Sequence, residues 1–232
     1  MQNWINIFES NCDPAREDEY DAFCDEVHIP DVLQTPGFVR ARRFVNRESR
    51  DGRGKYLFVY DIETDDIGQT MKVRLERRAQ EHQQGRSSAS QKNLAFPLWR
   101  DLLFRQFYER TAPANAAGAG KWVNLVEQNC HPDRVDEYHA WANDMHMPDA
   151  LLTPAFVAAR RFQIKEPRDG RGTYLHIYEI ETDDIDRTME LRLEMRQQEV
   201  AKGRASSSKN NLTWPVWRDV VWQQVSEQRA KP

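Results

Sequence analysis

His28-Ile29-Pro30-Asp31-Val32-Leu33-Gln34-Thr35-Pro36-Gly37-Phe38 is the stretch from which the chain is best read. It follows a polar, helix-like segment and leads into a strand-like run. It returns as His146-Met147-Pro148-Asp149-Ala150-Leu151-Leu152-Thr153-Pro154-Ala155-Phe156. Each copy sets an imidazole beside a proline-stiffened turn. Working outward, Trp4 matches Trp122, Cys12 matches Cys130, and Glu63-Thr64-Asp65-Asp66-Ile67 matches Glu181-Thr182-Asp183-Asp184-Ile185. Trp99-Arg100-Asp101 matches Trp217-Arg218-Asp219. The offset is constant, 130 − 12 = 118 residues, so the copies align without a gap and roughly half of the aligned positions agree. That period is far longer than the roughly 20–50 residues of solenoid repeats, which points to a duplicated domain. The expected layout is a first unit over 1–110, a linker over 111–120, a second unit over 121–226 and a tail over 227–232. The linker, rich in Ala and Gly, shows no pattern to pack.

The bulk properties narrow the field. The chain has 232 residues, 30% of them charged, with a formal net charge of −4. The two signs are interspersed, so no basic face offers itself to nucleic acid. No apolar run approaches the roughly 20 residues of a membrane helix, and the start lacks a secretory pattern. Three cysteines, Cys12, Cys24 and Cys130, match no zinc spacing and argue against a disulfide framework. The expectation is a cytoplasmic protein with no nucleic-acid or membrane partner.

Along one copy, Trp4 to Glu9 alternates as a strand. Asp13-Pro14 opens a helix, with Asp13 as cap and Pro14 at the first helical position. That helix runs past Tyr20 and Phe23 to about Val27, where Pro30 and Pro36 are expected to exclude its continuation. Phe38 to Val45 is a second strand, Ser49 to Gly54 a turn, and Tyr56 to Ile62 a third strand. Thr64-Asp65-Asp66 caps a long helix to about Gln83. A Ser-rich flexible loop covers Gly85 to Asn93, and Leu98 to Phe107 is the fourth strand. The order βαββαβ predicts an α+β fold: a ferredoxin-like antiparallel sheet with both helices on one face. In the third strand Leu57 and Val59 are expected to face the helices, and Tyr56, Phe58 and Tyr60 the other way. Tyr174, His176 and Tyr178 hold the same places in copy two. So aromatic a face calls for cover from water, and the simple solution packs the two sheets face to face.

These features together, the βαββαβ unit, its duplication and the His-x-Pro turn leading into Pro-Gly-Phe, resemble the dimeric α/β-barrel superfamily, especially its EthD-like and stress-responsive members. The resemblance covers nearly the whole chain. It implies a ligand cavity between sheet and helices in each half. Its members include cofactor-independent isomerases, polyketide cyclases and small monooxygenases. Some tandem members bind haem, but no haem-ligand motif is matched here. In several members a histidine at this turn transfers protons, a role that maps onto His28 and His146. Ala155 departs from the pattern at the place of Gly37, which suggests a different turn in copy two.

The residues themselves propose the following. His28 and His146 sit past a helix end, where the carbonyls favour imidazolium and burial favours the neutral ring. Imidazole is the usual acid/base near neutral pH; the plain alternative is that each only braces its turn. Asp31 and Asp149 either orient the imidazoles or cap the next turn. Arg42 and Arg160 belong to arginine pairs that strand alternation splits between faces. They pair with an acidic ligand or, more simply, with Glu63 and Glu181. Asn6 and Asn124 reach a ligand carbonyl or serve the sheet. Tyr20 and Tyr138 lie eight residues before the histidines, on nearly the same helix face. Tyr56, Tyr60, Tyr174 and Tyr178 are candidate ligand contacts. Asp65-Asp66 and Asp183-Asp184 are capping carboxylates, so no metal is expected. Arg74, Arg77, Arg78 and Glu76 read as a solvated helix face. The copies differ at Phe58/His176, Arg40/Ala158, Cys24/Ala142 and Gly37/Ala155. His176 would be a second imidazole in copy two and favours that copy as the active half.

The expected function is a cofactor-independent lyase, isomerase or cyclase that moves a proton on a small aromatic or polyketide-like ligand, through His28, His146 and His176. A noncatalytic small-molecule-binding protein and a cofactor-free monooxygenase are the alternatives. A homo-oligomer is compatible with either.

Overall fold

The computed structural model describes residues 1–46, 54–167 and 171–231, so the turn expected over 49–54 lies, but for Gly54, outside the described residues. The chain forms two compact units: residues 1–105 with 224–232, and residues 106–223. In unit 1 the strands are β1 (Gln2–Ser10), β2 (Phe38–Val45), β3 (Tyr56–Thr64) and the first part of β4 (Leu98–Thr111). β1 lies antiparallel between β3 and β4, and β3 pairs antiparallel with β2. Between β1 and β2 stand α1 (Glu17–Phe23), a π-helical segment (Cys24–His28) and α2 (Ile29–Leu33); α3 (Ile67–Gln83) follows β3. In unit 2, β5 (Lys121–Cys130) pairs with β7 (Tyr174–Glu181) and with β8 (Thr213–Arg229), and β7 pairs with β6 (Phe156–Ile164). Its helices are α4 (Val135–Trp141), a π segment (Ala142–His146), α5 (Met147–Ala150) and α6 (Ile185–Ala201).

The caps follow from the sequence. Asp13 accepts from the Ala15 N–H at 2.9 Å with Pro14 behind it, and Asp66 accepts from the Gln69 N–H at 2.9 Å at the head of α3. These side chains satisfy N–H groups that the first helical turn leaves without partners.

Four local expectations need correction. The first helix does not stop before Pro30. It passes through the π segment, in which the Ile29 N–H bonds the Cys24 carbonyl five residues back. The wider π turn takes the proline at the first turn of α2, where a missing N–H costs least. Second, the faces of β3 are reversed. Tyr56, Phe58 and Tyr60 pack with Tyr20, Phe23, Cys24 and Ile29 of the helices. Leu57 and Val59 look the other way and are equally buried, at 1% exposure each. With both faces withdrawn from water, alternation separates the faces without saying which meets the helices.

Third, Ala155 adopts φ 74°, close in kind to Gly37 at φ 93°, so the turn is retained with an alanine in the left-handed region. Both positions accept from the following strand's end: Glu63 N to the Gly37 carbonyl at 2.8 Å, Glu181 N to the Ala155 carbonyl at 2.9 Å. Fourth, the segment after β4 is packed, not loose. Ala117 N bonds the Glu181 carbonyl at 2.9 Å, and Asp183 accepts from Ala119 N and Gly120 N at 3.0 and 3.1 Å. A Cβ on Gly118 would stand 2.4 Å from Asp183 N. Gly118→Ala is therefore expected to cost about 1–3 kcal/mol by overpacking, read from urea midpoints; an unchanged midpoint would show that this segment yields freely.

Candidate functional site

In unit 1 the site grows from the helix that carries Tyr20, Phe23 and His28. The π turn makes residues five apart neighbours, and the rings of Phe23 and His28 stack with centroids 5.9 Å apart and 16° between planes. Phe58 meets His28 edge-on at 6.0 Å. The imidazole reaches across to β3, where His28 Nε2 lies 3.0 Å from the Tyr60 hydroxyl. Among the described residues its Nδ1 has no hydrogen-bond partner, and it is not sealed off by protein. Burial, reinforced by Arg74 and Arg78, holds the His28 pKa down at about 4, so the ring is neutral at pH 7. Burial pushes the Tyr60 phenol well above its usual range.

His28 and Tyr60 line a cavity of about 520 Å³ between sheet and helices, walled by Phe8, Phe23, Phe38, Phe58, Met71 and others. Its polar edge has two parts. Asn6 Nδ2 donates to Asp101 Oδ1 at 2.9 Å from the sheet. On α3, Arg74 makes a bidentate pair with Glu81 at 2.6 and 3.0 Å, both side chains nearly buried. Ser87 and Ser88 close one side. Their segment is held by Arg86, which donates to both oxygens of Asp31 at 3.0 and 2.7 Å. Asp31 thus neither orients His28 nor caps a turn. Tyr60→Phe should remove the partner of His28 Nε2 and cost about 1 kcal/mol of stability; equal urea stability of variant and wild type would refute that bond.

Unit 2 repeats the frame with a different lining. His146 stacks on Trp141 at 4.7 Å and 12°, and its Nε2 lies 2.8 Å from the Tyr178 hydroxyl. Burial, then Arg192, Arg196 and Arg161, drives the His146 pKa well below its ordinary value. The cavity, about 450 Å³, is lined by Asn124, Val126, Gln128, Trp141, His146 and Tyr178 among others. Asn124 donates to Asp219 at 2.7 Å, and Arg204 binds Asp149 through two bonds of 2.7 Å.

The structure sorts the sequence candidates. His28, Tyr60, Tyr20 and Asn6 line the first cavity; His146, Tyr178 and Asn124 line the second. Tyr20 binds Ser10, at 3.0 Å between hydroxyls, and not the histidine. Tyr56 donates to Glu17 at the helix start and does not line the cavity, and neither do Tyr138 and Tyr174. His176 stands behind the lining residue Gln128. Arg42 and Arg160 turn to the sheet face opposite the helices and pair with Asp61 at 3.3 Å and Glu179 at 2.7 Å, not with Glu63 and Glu181. Arg42 lies opposite Val59 in register, which makes Asp61 the nearest carboxylate on its face and leaves Glu63 at the exposed strand end. Two assignments of α3 also change: Arg74 and Arg78, equivalent to Arg192 and Arg196, line the cavities instead of facing solvent, and Arg74 is held there by Glu81 as Arg192 is by Glu199. A polar helix with a buried Arg–Glu pair seven residues apart carries no apolar stripe to announce it.

Among the described residues no cluster of His, Cys, Asp or Glu is arranged to hold a metal ion. A haem, which some tandem members of the resembled superfamily bind, needs an axial ligand directed at its iron. Here the Nε2 atoms of His28 and His146 are committed to tyrosine hydroxyls, and His176 to Tyr138, Gln128 and Arg161. These Nε2 donors are thus taken by the protein's own hydrogen bonds. Among the described residues no helix is long and apolar enough to cross a membrane.

No family model matches the sequence, and no curated protein does. Solved structures do match the fold. A provisionally assigned monooxygenase from Fusobacterium nucleatum superposes with a TM-score of 0.64 at 9% identity, over 98% of this chain and 94% of that one. An anthrone oxidase-like protein gives 0.59 at 15% identity, over 99% and 93%. A chlorite dismutase variant from Candidatus Nitrospira defluvii gives 0.60 at 12% identity, over 97% and 92%. At these identities the likeness shows a shared fold and extends no further.

Proposed function

We propose that this protein is an enzyme that moves a proton on a planar aromatic ligand, with the neutral imidazoles of His28 and His146 as the proton-transferring groups. One observation carries the reading. In each unit a neutral histidine lines an aromatic cavity while its Nε2 meets a buried tyrosine hydroxyl. With Nε2–H donating to the tyrosine oxygen, the Nδ1 lone pair is left to accept a proton from the ligand. The aromatic walls exclude water, and Tyr60 or Tyr178 fixes the ring's orientation and tautomer.

The depressed basicity favours one reaction type. An imidazolium whose parent pKa is about 4 gives its proton back readily. In an apolar cavity it also persists only beside the ligand anion it created. That suits transfer between two positions of one ligand, as in an isomerase or cyclase, over release of the proton to solvent. A cofactor-free monooxygenase would share the first proton removal. The recurrence of the element order supports one duplicated ferredoxin-like unit as the origin of both sites.

The fold likeness to an anthrone oxidase-like protein suggests a probe. 1,8-Dihydroxyanthrone has an activated CH₂ flanked by aromatic rings. In deuterated buffer without oxygen, NMR follows loss of its CH₂ signal. The expected result is exchange faster with protein than without. Binding without acceleration would leave a noncatalytic binding protein.

A further inference from the structure

The two cavities are built on the same frame but differ in charge behind one wall. In unit 1 the buried Arg43 of β2 is matched by two carboxylates of the helix that packs on it, Asp21 of α1 at 2.8 Å and Asp25 of the π segment at 3.4 Å. Its counterpart Arg161 is fully buried, with 0% exposure. The positions of Asp21 and Asp25 are held in unit 2 by His139 and Asn143. Arg161 therefore bonds only neutral groups: Asn143, His139 Nδ1 at 3.2 Å and His176 Nε2 at 3.2 Å, with its guanidinium over the rings of Phe107 and Tyr138. Among the described residues no carboxylate reaches it. A buried cation without a counter-ion is costly unless something negative joins it in the working state.

A chain of contacts carries this charge to the cavity. An arginine N–H can only donate, so His176 Nε2 accepts, and a neutral ring then carries its proton on Nδ1. One end of the Gln128 amide lies 3.2 Å from that Nδ1. The same end lies 3.1 Å from Nε2 and 3.2 Å from the Tyr138 hydroxyl; with the amide oxygen there to accept from Nδ1–H and from that hydroxyl, the NH₂ turns to the cavity that Gln128 lines. Burial first, and Arg161 second, hold His176 well below its ordinary pKa, which keeps this arrangement neutral. Unit 1 has no such chain. Ser10 replaces Gln128 and bonds Tyr20, and Phe58 replaces His176.

We propose that the unit 2 cavity selects aromatic ligands bearing an oxyanion, a carboxylate or a phenolate or enolate oxygen, which Gln128 contacts directly and Arg161 and His176 favour as positioning residues. This rests on the reading of the cavities as aromatic-ligand sites, not on proton transfer. The unit 1 cavity, with its arginine neutralised, lacks that preference.

The test grafts the unit 1 carboxylates onto unit 2 in the full chain, as His139→Asp with Asn143→Asp. This neutralises Arg161 without emptying the core. Calorimetric titrations use 2-naphthoate, 2,4-dinitro-1-naphtholate and the neutral 2-acetylnaphthalene. The graft is expected to weaken binding of at least one anion by about tenfold or more, about 1.4 kcal/mol, and to leave the neutral probe within about twofold. Which anion responds distinguishes carboxylate from phenolate recognition. Gln128→Leu should weaken the same anion. Arg161→Met should do so too where it folds, with Arg161→Lys restoring part of the affinity. Equal anion affinity in wild type and graft overturns the proposal, as does a parallel loss of the neutral probe. Anthrone exchange reports separately: exchange without anion selectivity removes only this inference, and selectivity without exchange removes only the proton transfer.

Discussion

Replacing both turn histidines, as His28→Asn with His146→Asn, is expected to slow deuterium exchange of the anthrone probe by about 10²–10⁴-fold, the usual contribution of a positioned acid/base group. Asparagine can still approach the tyrosine hydroxyl, so the fold is expected to persist, checked by circular dichroism and thermal unfolding. His146→Asn alone should account for the larger share of the loss, because the uncompensated Arg161 favours an anion formed in unit 2. If the histidines only brace their turns, the double variant will lose stability and keep its exchange rate. That outcome would remove the acid/base assignment.

The second large effect is on stability in mild acid. His28, His146 and His176 all have pKa values depressed mainly by burial, to about 4 for His28. Between that value and the ordinary 6.5, the unfolded chain binds protons that the folded chain refuses. Stability is therefore complete above pH 6.5 and is lost as the pH falls toward 4. For His28 alone the gap corresponds to about 3 kcal/mol, nearer 2 once the partial exposure of the ring is counted. Urea unfolding at pH 7.5, 5.5 and 4.5 should show a steep decline in wild type and a shallower one in His28→Gln. Parallel declines would show that the ring is protonated in the folded state. The depressed carboxylate of Glu17 acts below its ordinary 4.5, in a separate window.

The legible part of the fold rests on local chemistry. Asp13-Pro14 and Asp66 announce helix starts because their side chains can only satisfy N–H groups there. The alternation of β3 separates Tyr56, Phe58 and Tyr60 from Leu57 and Val59. It could not say which set met the helices, since both are buried. Pro30 reads as a stop because an α-helix has no room for it, and nothing in residue type signals a π turn.

Of the site, His28 and His146 stood out because an imidazole beside a repeated turn is conspicuous. Their tyrosine partners lie 32 residues on, and only strand pairing brings them together. Arg74 and Glu81 were lost in a helix that looks polar on every side. The contrast between Arg43 and Arg161 was open to view in the sequence, at Asp21/His139 and Asp25/Asn143. It had no meaning until the fold set those positions against the arginines.

The most direct test of a neutral imidazole as the working group is the pH dependence of anthrone exchange, recorded within seconds of a pH jump so that unfolding does not intervene. Bases with depressed pKa values, about 4 for His28 and well below the ordinary 6.5 for His146, predict a rate that stays level through pH 6.5 and falls only in more acid solution. That fall should vanish in the His28→Asn, His146→Asn double variant. A break near pH 6.5, or a profile that the double variant leaves unchanged, would contradict the account.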